Sequence, residues 1–300
     1  MDAGHGQRDG QGARRYLFLN AISLDHVTLS VRGLTVLSDI SLAIAAGEFV
    51  GVLGANGSGK TTLIRALLGL LRPDSGSIAV LGKPVDRGNP AIGYLPQVRT
   101  SPPAVALSGR DFLAASVDGY RWGPPFLSAK ARREIDRVLE TVHAEELARR
   151  PLSDMSGGER QRLLVAQALI GNPRLVLLDE PLIGLDPYQQ HIVVRLVRDL
   201  SRDLKLTVLF TAHELNQLLG AVSRILYLGL GQAALGTVDE VIRPEVLSRL
   251  YGAPIEVVRA DGHVFVMSHG QDIERDHSHD RDHPHDHTGH PHVRHDHDHA

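Results

Sequence analysis

Cysteine is missing from all 300 residues. Disulfides and thiolate metal sites are therefore excluded, which fits a reducing compartment. No apolar run approaches the roughly 18–20 residues that cross a bilayer, so any work at a membrane needs another chain to do the spanning. The opening stretch also lacks the long apolar core of a secretory signal, because Tyr16-Leu17-Phe18-Leu19 is too short. A large excess of either sign of charge is missing as well. The net charge is −3 with histidines neutral, and the basic residues form no stripe, which argues against a nucleic-acid partner. What remains, 42% hydrophobic and 22% charged residues, suffices for a sizeable core in one domain with a subdomain.

Residues 1–20, with Gly4, Gly6, Gly10 and Gly12 among polar neighbours, read as a flexible leader. From residue 22 the pattern is short and β-like over 22–31, 36–44 and 49–53, the start of an antiparallel β layer. A further strand pair is expected at 77–81 and 91–95, around the turn cluster 82–90. From about 98 to 158 the spacing turns helical. Ser128 is a candidate N-cap, and Ile135, Val138, Leu139 and Val142 share one helix face. A helical subdomain inserted into the sheet domain is the expectation. Helices then alternate, over 158–170 and 189–204, with the unbroken apolar strands 175–178 and 206–211, as in a parallel sheet covered on both faces. A helix is expected at 214–219 and hairpins at 225–235 and 255–267. The domain accordingly spans 21–267, and 268–300 is a low-complexity tail expected to be disordered.

The densest chemistry lies at Gly54-Ala55-Asn56-Gly57-Ser58-Gly59-Lys60-Thr61-Thr62, between the apolar run 49–53 and the helix face Leu63, Ile64, Leu67 and Leu68. Strand, glycine-rich turn and helix N-terminus in that order aim backbone N–H groups inward and add the positive end of a helix dipole. Together they trap polyphosphate. The spacing is that of a G-x-x-x-x-G-K-[ST] loop, in which Lys60 reaches the terminal phosphates and the Thr61 hydroxyl ligates magnesium. Downstream, Leu175-Val176-Leu177-Leu178-Asp179-Glu180 is an apolar strand ending in two carboxylates. Ligands of parallel sheets sit beyond the C-terminal strand ends, so the pair is expected beside the phosphate loop. There Asp179 would face magnesium and Glu180 would polarise the attacking water. Taken alone, a solvated turn explains such a pair as well. Ser156-Gly157-Gly158-Glu159 sets a hydroxyl and two glycines ahead of a helix, either a second backbone anion trap or a plainly capped helix.

Tyr94-Leu95-Pro96-Gln97, Pro181 after Asp179-Glu180, Gly184-Leu185-Asp186 and Thr211-Ala212-His213-Glu214 complete a set of motifs. Their order, over about 22–250, resembles the ATP-binding subunit of an ABC transporter. The resemblance implies an α/β P-loop NTPase cassette with a parallel-sheet core, an antiparallel β layer and an inserted helical subdomain, hydrolysing ATP with magnesium. It also implies a head-to-tail dimer, each 54–61 loop facing Ser156, Gly157 and Gly158 of a second copy. Gln97 would then meet magnesium or its water beside the groove that receives the permease, His213 the γ-phosphate, and Asp186 would link the two sites. A separate transmembrane permease, an extracytoplasmic metal-binding protein and a peripheral place on the cytoplasmic face of the plasma membrane belong to the same picture. Three residues depart from the pattern: Val31 stands where an aromatic usually stacks on adenine, Glu159 replaces glutamine, and Leu182 replaces threonine.

Cargo is addressed only by the tail, where histidines alternate with aspartates, among them His283, His285, His287, His295, His297 and His299. Imidazole suits zinc, nickel, copper and cobalt, and carboxylates can complete the shell; a solubilising polar tail is the plainer reading. The core is also similar to zinc and manganese uptake ATPases in the approach 92–96 to Gln97 and in Tyr251-Gly252. The expectation is an ATPase that powers a permease for divalent-metal import, with zinc as cargo and zinc held by the tail. Import of manganese or another divalent ion, or a soluble ABC-type ATPase outside transport, are the alternatives.

Overall fold

The computed structural model describes residues 20–97, 107–118, 127–268 and 271–272. Residues 1–19 of the expected leader and, except for 268 and 271–272, the expected tail with all six of its named histidines lie outside the described residues. Strands β1 (Asn20–Val31) and β2 (Leu34–Ala45) form a long antiparallel hairpin turned by Arg32 and Gly33, both at positive φ. β3 (Phe49–Leu53) leaves that layer for a second sheet and runs through the 54–59 turn into helix α1 (Lys60–Leu67). β4 (Ser75–Val80) returns to the free side of β1 and turns into the two-residue β5 (Lys83–Pro84), which completes a four-stranded antiparallel layer in the order β2-β1-β4-β5.

Next comes β6 (Ile92–Leu95), and here the expectation of a strand pair at 77–81 and 91–95 is corrected. β4 pairs with β1 and β5, whereas β6 lies parallel to β7 (Leu175–Leu178) in the other sheet. A turn-rich spacer permits a hairpin but does not require one. Parallel pairing gives β6 a fully buried apolar neighbour, and Gly93 lets it approach the helix behind, since a Cβ there would collide with the Ala168 carbonyl.

Between β6 and β7 run α2 (Gly109–Asp118), α3 (Ala129–Thr141), short 3-10 turns at Glu145–Arg149 and Leu152–Asp154, and α4 (Gly157–Ala168). Ser128 does cap α3, its hydroxyl accepting from the Ala131 N–H at 3.0 Å, and Ile135, Val138, Leu139 and Val142 are all buried. This is the inserted helical part of the fold. α5 (Pro187–Asp203), β8 (Thr207–Thr211), β9 (Arg224–Gly229) and β10 (Gln232–Gly236) follow. The second sheet has the order β10-β9-β3-β8-β7-β6, parallel throughout except for the β9–β10 hairpin.

Period-2 side-chain alternation explains why its strands read as unbroken apolar runs. Val50, Val52, Leu175, Leu177, Leu209, Leu226 and Leu228 face one core with β1, β2 and α1. Phe49, Leu53, Val176, Leu178, Val208, Phe210, Ile225 and Tyr227 face the other, under the helices. Fully burying such a side chain contributes about 1.5–3 kcal/mol. Because β3, β6, β7 and β8 are parallel, the segments after all four emerge at the same edge of the sheet, where ligands of such folds bind.

The helix expected at 214–219 is a single 3-10 turn, Leu215–Gln217. Its brevity has a partner in the C-terminal elements α6 (Val238–Val241), α7 (Pro244–Tyr251), β11 (Glu256–Ala260), β12 (His263–Ser268) and β13 (Gln271–Asp272). The Asn216 carboxamide bonds the edge of β12 in both directions: Nδ2 donates to the Val264 carbonyl at 2.8 Å and Oδ1 accepts the Val264 N–H at 2.9 Å. Strand pairing of β12 with β13 carries regular structure to Asp272, into the stretch expected to be tail. Replacing Asn216 by Ala removes both bonds and is expected to destabilise the chain by about 1–3 kcal/mol. A urea melt of the variant against the parent checks this.

Candidate functional site

The loop after β3 needs glycine for two separate reasons. Gly54, Gly57 and Gly59 have φ of 141, 80 and 104°, outside the range that side chains favour. At Gly54 a Cβ would also strike the Leu228 carbonyl and the Ser58 side chain, whereas Gly57 faces open space. Lys60 opens α1 and is 5% exposed. Its ammonium curls back to donate to the Gly54 and Ala55 carbonyls at 2.6 and 3.2 Å. Burial lowers its pKa, and the charges of Glu180 and Asp179 only partly restore it. Asn56 and Gly57 form the exposed crest of the loop, and Thr61 and Thr62 are half-buried behind it.

Asp179, 1% exposed, stands beyond the end of β7. Its Oδ1 accepts from the Thr211 hydroxyl at 3.1 Å and from the Thr61 hydroxyl at 3.4 Å. Burial raises its pKa and the neighbouring Glu180 adds to that, against the opposing hydrogen bonds from Thr211 and Thr61 and the charge of Lys60. Glu180 follows with φ 51°, a left-handed conformation unusual for a side-chain-bearing residue. Its Oε2 lies 3.1 Å from His213 Nε2 and accepts from Gln97 Nε2. Burial pushes the Glu180 carboxyl up, but the His213 hydrogen bond and charge, together with Lys60, hold it below its ordinary value.

The described residues thus bring Lys60, Thr61, Gln97, Asp179, Glu180 and His213 to one place. Two buried atoms there have no hydrogen-bond partner among the described residues, Ser58 Oγ and Asp179 Oδ2. The orphaned Asp179 oxygen, the Thr61 hydroxyl bonded to the same carboxylate and the carboxamide oxygen of Gln97, whose nitrogen bonds neighbouring Glu180, offer oxygen donors of the kind magnesium takes. A bare serine hydroxyl within a glycine-rich turn fits a phosphate oxygen. ATP and magnesium therefore match the residues present.

Ser156, Gly157, Gly158 and Asp186 belong to a different surface. Ser156 is the exposed N-cap of α4 in a reciprocal capping box: its Oγ accepts the Glu159 N–H at 3.2 Å, and Glu159 Oε2 accepts the Ser156 N–H at 2.7 Å. Asp186 caps α5, accepting from the Gln189 N–H at 2.9 Å. A Cβ on Gly157 or Gly158 would press on Leu185 and Gln189, so the two helix starts are packed together. No described hydrogen bond ties this group to residues 54–62. Val31, at the end of β1, is half-buried opposite Leu34, which is 74% exposed.

The sequence reading gave no role to Arg150 and none of its own to Thr211. Arg150 Nη1 reaches Glu159 Oε1 at 2.5 Å, an ion pair that a glutamine could not make. Thr211 is 0% exposed and also accepts the Glu180 N–H at 2.6 Å. Its available signals were a hydroxyl at the C-terminal end of β8 and its place at the head of Thr211-Ala212-His213-Glu214.

The parallel sheet with a phosphate loop at its edge and carboxylates beside it defines a P-loop nucleotide-hydrolysing α/β domain. The family model for ABC transporters matches residues 37–183. The manganese transport system ATP-binding protein MntB of Bacillus subtilis is 34% identical over 81% of this chain and 98% of its own length. The zinc import ATP-binding protein ZnuC of Paramagnetospirillum magneticum is 34% identical over 85% and 91%. The lipopolysaccharide export system ATP-binding protein LptB of Haemophilus influenzae is 32% identical over 78% and 97%. Among solved structures, an inward-facing transporter described as of metal-chelate type superposes with a TM-score of 0.68 at 28% identity, covering 82% of this chain and 96% of that one. The chain belongs to the ABC transporter ATP-binding family. It is an ATP hydrolase, the ATPase subunit of an ABC transporter, using ATP with magnesium and acting with transmembrane permease components. No helix among the described residues is long and apolar enough to cross a membrane itself.

The Ser156 N–H bond, more than the opposing burial and with Arg150 assisting, holds the Glu159 carboxyl below its ordinary pKa. Its contribution to stability is therefore complete above the unfolded-state value and fades as pH falls through the lower folded value. Glu159→Gln keeps an acceptor for the Ser156 N–H but loses the ion pair. The expected cost is about 1 kcal/mol or less at pH 7, with a smaller difference from the parent at pH 3; thermal melts at the two pH values check it.

Proposed function

We propose that this subunit drives import of a divalent metal, with zinc as the cargo. Two metal-transport relatives and a metal-chelate-type structural neighbour support the class. The single observation that carries zinc is the tail sequence, in which His283, His285, His287, His295, His297 and His299 alternate with other residues, several imidazoles of the kind zinc takes within a short stretch. Manganese prefers carboxylate and water ligands and gains less from the histidines, which outnumber the acids of the tail. It is kept as the second reading because MntB is as similar as ZnuC.

In this reading the chain is organised as a domain over 21–267 with a helical insertion at about 98–158 and a tail that samples arriving cytosolic metal. The catalytic side chains have divided roles. The loop amides, with those of Gly54, Asn56, Gly57, Ser58, Gly59 and Thr62 among them, bind the phosphates, and Lys60 swings from its loop carbonyls to the β- and γ-phosphates. Thr61, Gln97 and Asp179 would hold magnesium, which when bound would supply positive charge to offset that of the phosphates. Glu180, ionised and anchored by His213, orients and polarises the attacking water, while His213 meets the γ-phosphate. Ser156, Gly157, Gly158 and Asp186 complete the site from a second copy in a head-to-tail dimer. That dimer sits on the cytoplasmic face of the membrane beneath a permease fed by an extracytoplasmic metal-binding protein.

Glu180→Gln keeps the hydrogen-bonding shape but not the base. Phosphate release is expected to fall by about a hundredfold or more while ATP binding persists, so that a closed dimer accumulates on size-exclusion chromatography in magnesium-ATP. Near-normal turnover would remove Glu180 from this role. For the cargo, cells lacking the chain are expected to lose uptake of labelled zinc from a panel of zinc, manganese, nickel and cobalt, and to regain it with the intact protein. The variant with all six named tail histidines changed to Asn should bind less zinc by calorimetry. Loss of manganese uptake alone would overturn zinc.

A further inference from the structure

We propose that Thr211 is a positioning residue for ATP hydrolysis, its single hydroxyl holding Asp179 and Glu180 in register with each other. The proposal rests on the roles given to those two carboxylates above, and extends them to a residue that touches neither nucleotide nor metal.

Parallel pairing puts the residue in place. Leu178 lies opposite Phe210, so Thr211 at the end of β8 comes level with the first residue beyond β7. There the ladder runs out. The Asp179 N–H turns to the other side and bonds the Leu95 carbonyl of β6 at 2.9 Å. The Glu180 N–H finds its acceptor in a side chain, Thr211 Oγ1, at 2.6 Å. An amide can only donate, so the hydroxyl must accept there, and its own proton is free to be given elsewhere. It goes to Asp179 Oδ1 at 3.1 Å.

That direction has two effects. A hydrogen bond to the Glu180 amide steadies a residue whose φ of 51° is costly for any side chain larger than glycine's. The turn it fixes is the one from which the carboxylate meets His213 and Gln97. At Asp179 the proton occupies Oδ1 and leaves Oδ2, buried and without a partner among the described residues, as the oxygen open to a cation. The Thr61 hydroxyl reaches the same Oδ1 from 3.4 Å, a weaker hold. Thr211 is 0% exposed, so no solvent can take over either bond if the hydroxyl goes.

A merely structural Thr211 would tolerate valine, which keeps its shape and β-branching. The test uses purified full-length Thr211→Val, Thr211→Ser and Glu180→Gln beside the parent. In Thr211→Val, kcat for magnesium-ATP hydrolysis is expected to fall about tenfold or more while KM for ATP moves less than about threefold. Without nucleotide, hydrogen exchange at the Glu180 amide should speed up by about tenfold, and Thr211→Ser should restore both readouts to within about threefold. Parent-like kcat or parent-like Glu180 protection in Thr211→Val overturns the proposal, leaving the base role intact if Glu180→Gln is inactive. Full turnover in Glu180→Gln instead overturns the base role and the positioning role with it. Should Thr211→Val not fold, Thr211→Cys, close to threonine in volume but a poor hydrogen-bonding partner, takes its place. Equal kcat in the cysteine and serine variants then overturns the proposal.

Discussion

Two carboxylates in succession at the end of a buried strand are the constraint around which the site is built. Neighbouring like charges repel, the Glu180 charge pushing up the pKa of Asp179, and burial adds a desolvation cost for each. The sheet answers by taking compensating groups from strands on both sides of β7. β8, on one side of β7, leads to Thr211 and His213; β6, on the other, leads to Gln97; β3, one strand further, leads to Lys60 and Thr61. A different strand order would disperse these partners. The sheet order is therefore part of the chemistry, and the parallel direction of the four strands is what puts their ends on one edge.

Compensation is unequal, and the inequality separates the two acids. Glu180 ends below its ordinary pKa because His213 and Lys60 outweigh its burial, while Asp179 ends above because burial outweighs two hydroxyls and the same lysine. Neighbouring titratable groups driven apart in this way take different roles. The acid held ionised suits a water-polarising base. The acid held up has an unpaired oxygen and a charge that a divalent cation would stabilise. Lys60 completes the balance: its ammonium rests on two loop carbonyls, neutral acceptors weaker than an anionic phosphate oxygen.

What the amino-acid sequence disclosed follows the range of the forces involved. The apolar runs 49–53, 175–178 and 206–211, the Ser128 cap and the face Ile135, Val138, Leu139 and Val142 depend on residues close in the chain, and they stand in the fold as read. Pairing across long gaps was less legible. The spacer at 82–90 suggested a hairpin, but β6 gains more burial beside β7, a partner some eighty residues away that no local pattern announces. At 214–219 the apolar spacing suits a helix, yet Asn216 is committed to a strand edge 48 residues on. In the site, the loop and the carboxylates were visible as motifs. The bridging role of Thr211 and the Arg150–Glu159 pair were not, because each depends on which groups the fold brings together rather than on a local pattern.

The substitution of glutamate for glutamine at position 159 bears on the surface that a second copy is proposed to meet. A carboxylate in the first turn of α4 would by itself compete with an incoming phosphate for the positive end of the helix. Here Glu159 is turned aside: one oxygen takes the Ser156 N–H and the other is neutralised by Arg150. The amides of Gly157 and Gly158, which have no intrahelical acceptor, remain available beside an exposed serine. Arg150 thus lets an acid serve as cap without closing the anion trap, and bare glycines are kept there because α5 leaves little room for side chains. In the proposed head-to-tail dimer a phosphate carried on the partner's loop would face these amides, and the pair would then be the smallest unit in which both proposed anion-binding surfaces are satisfied.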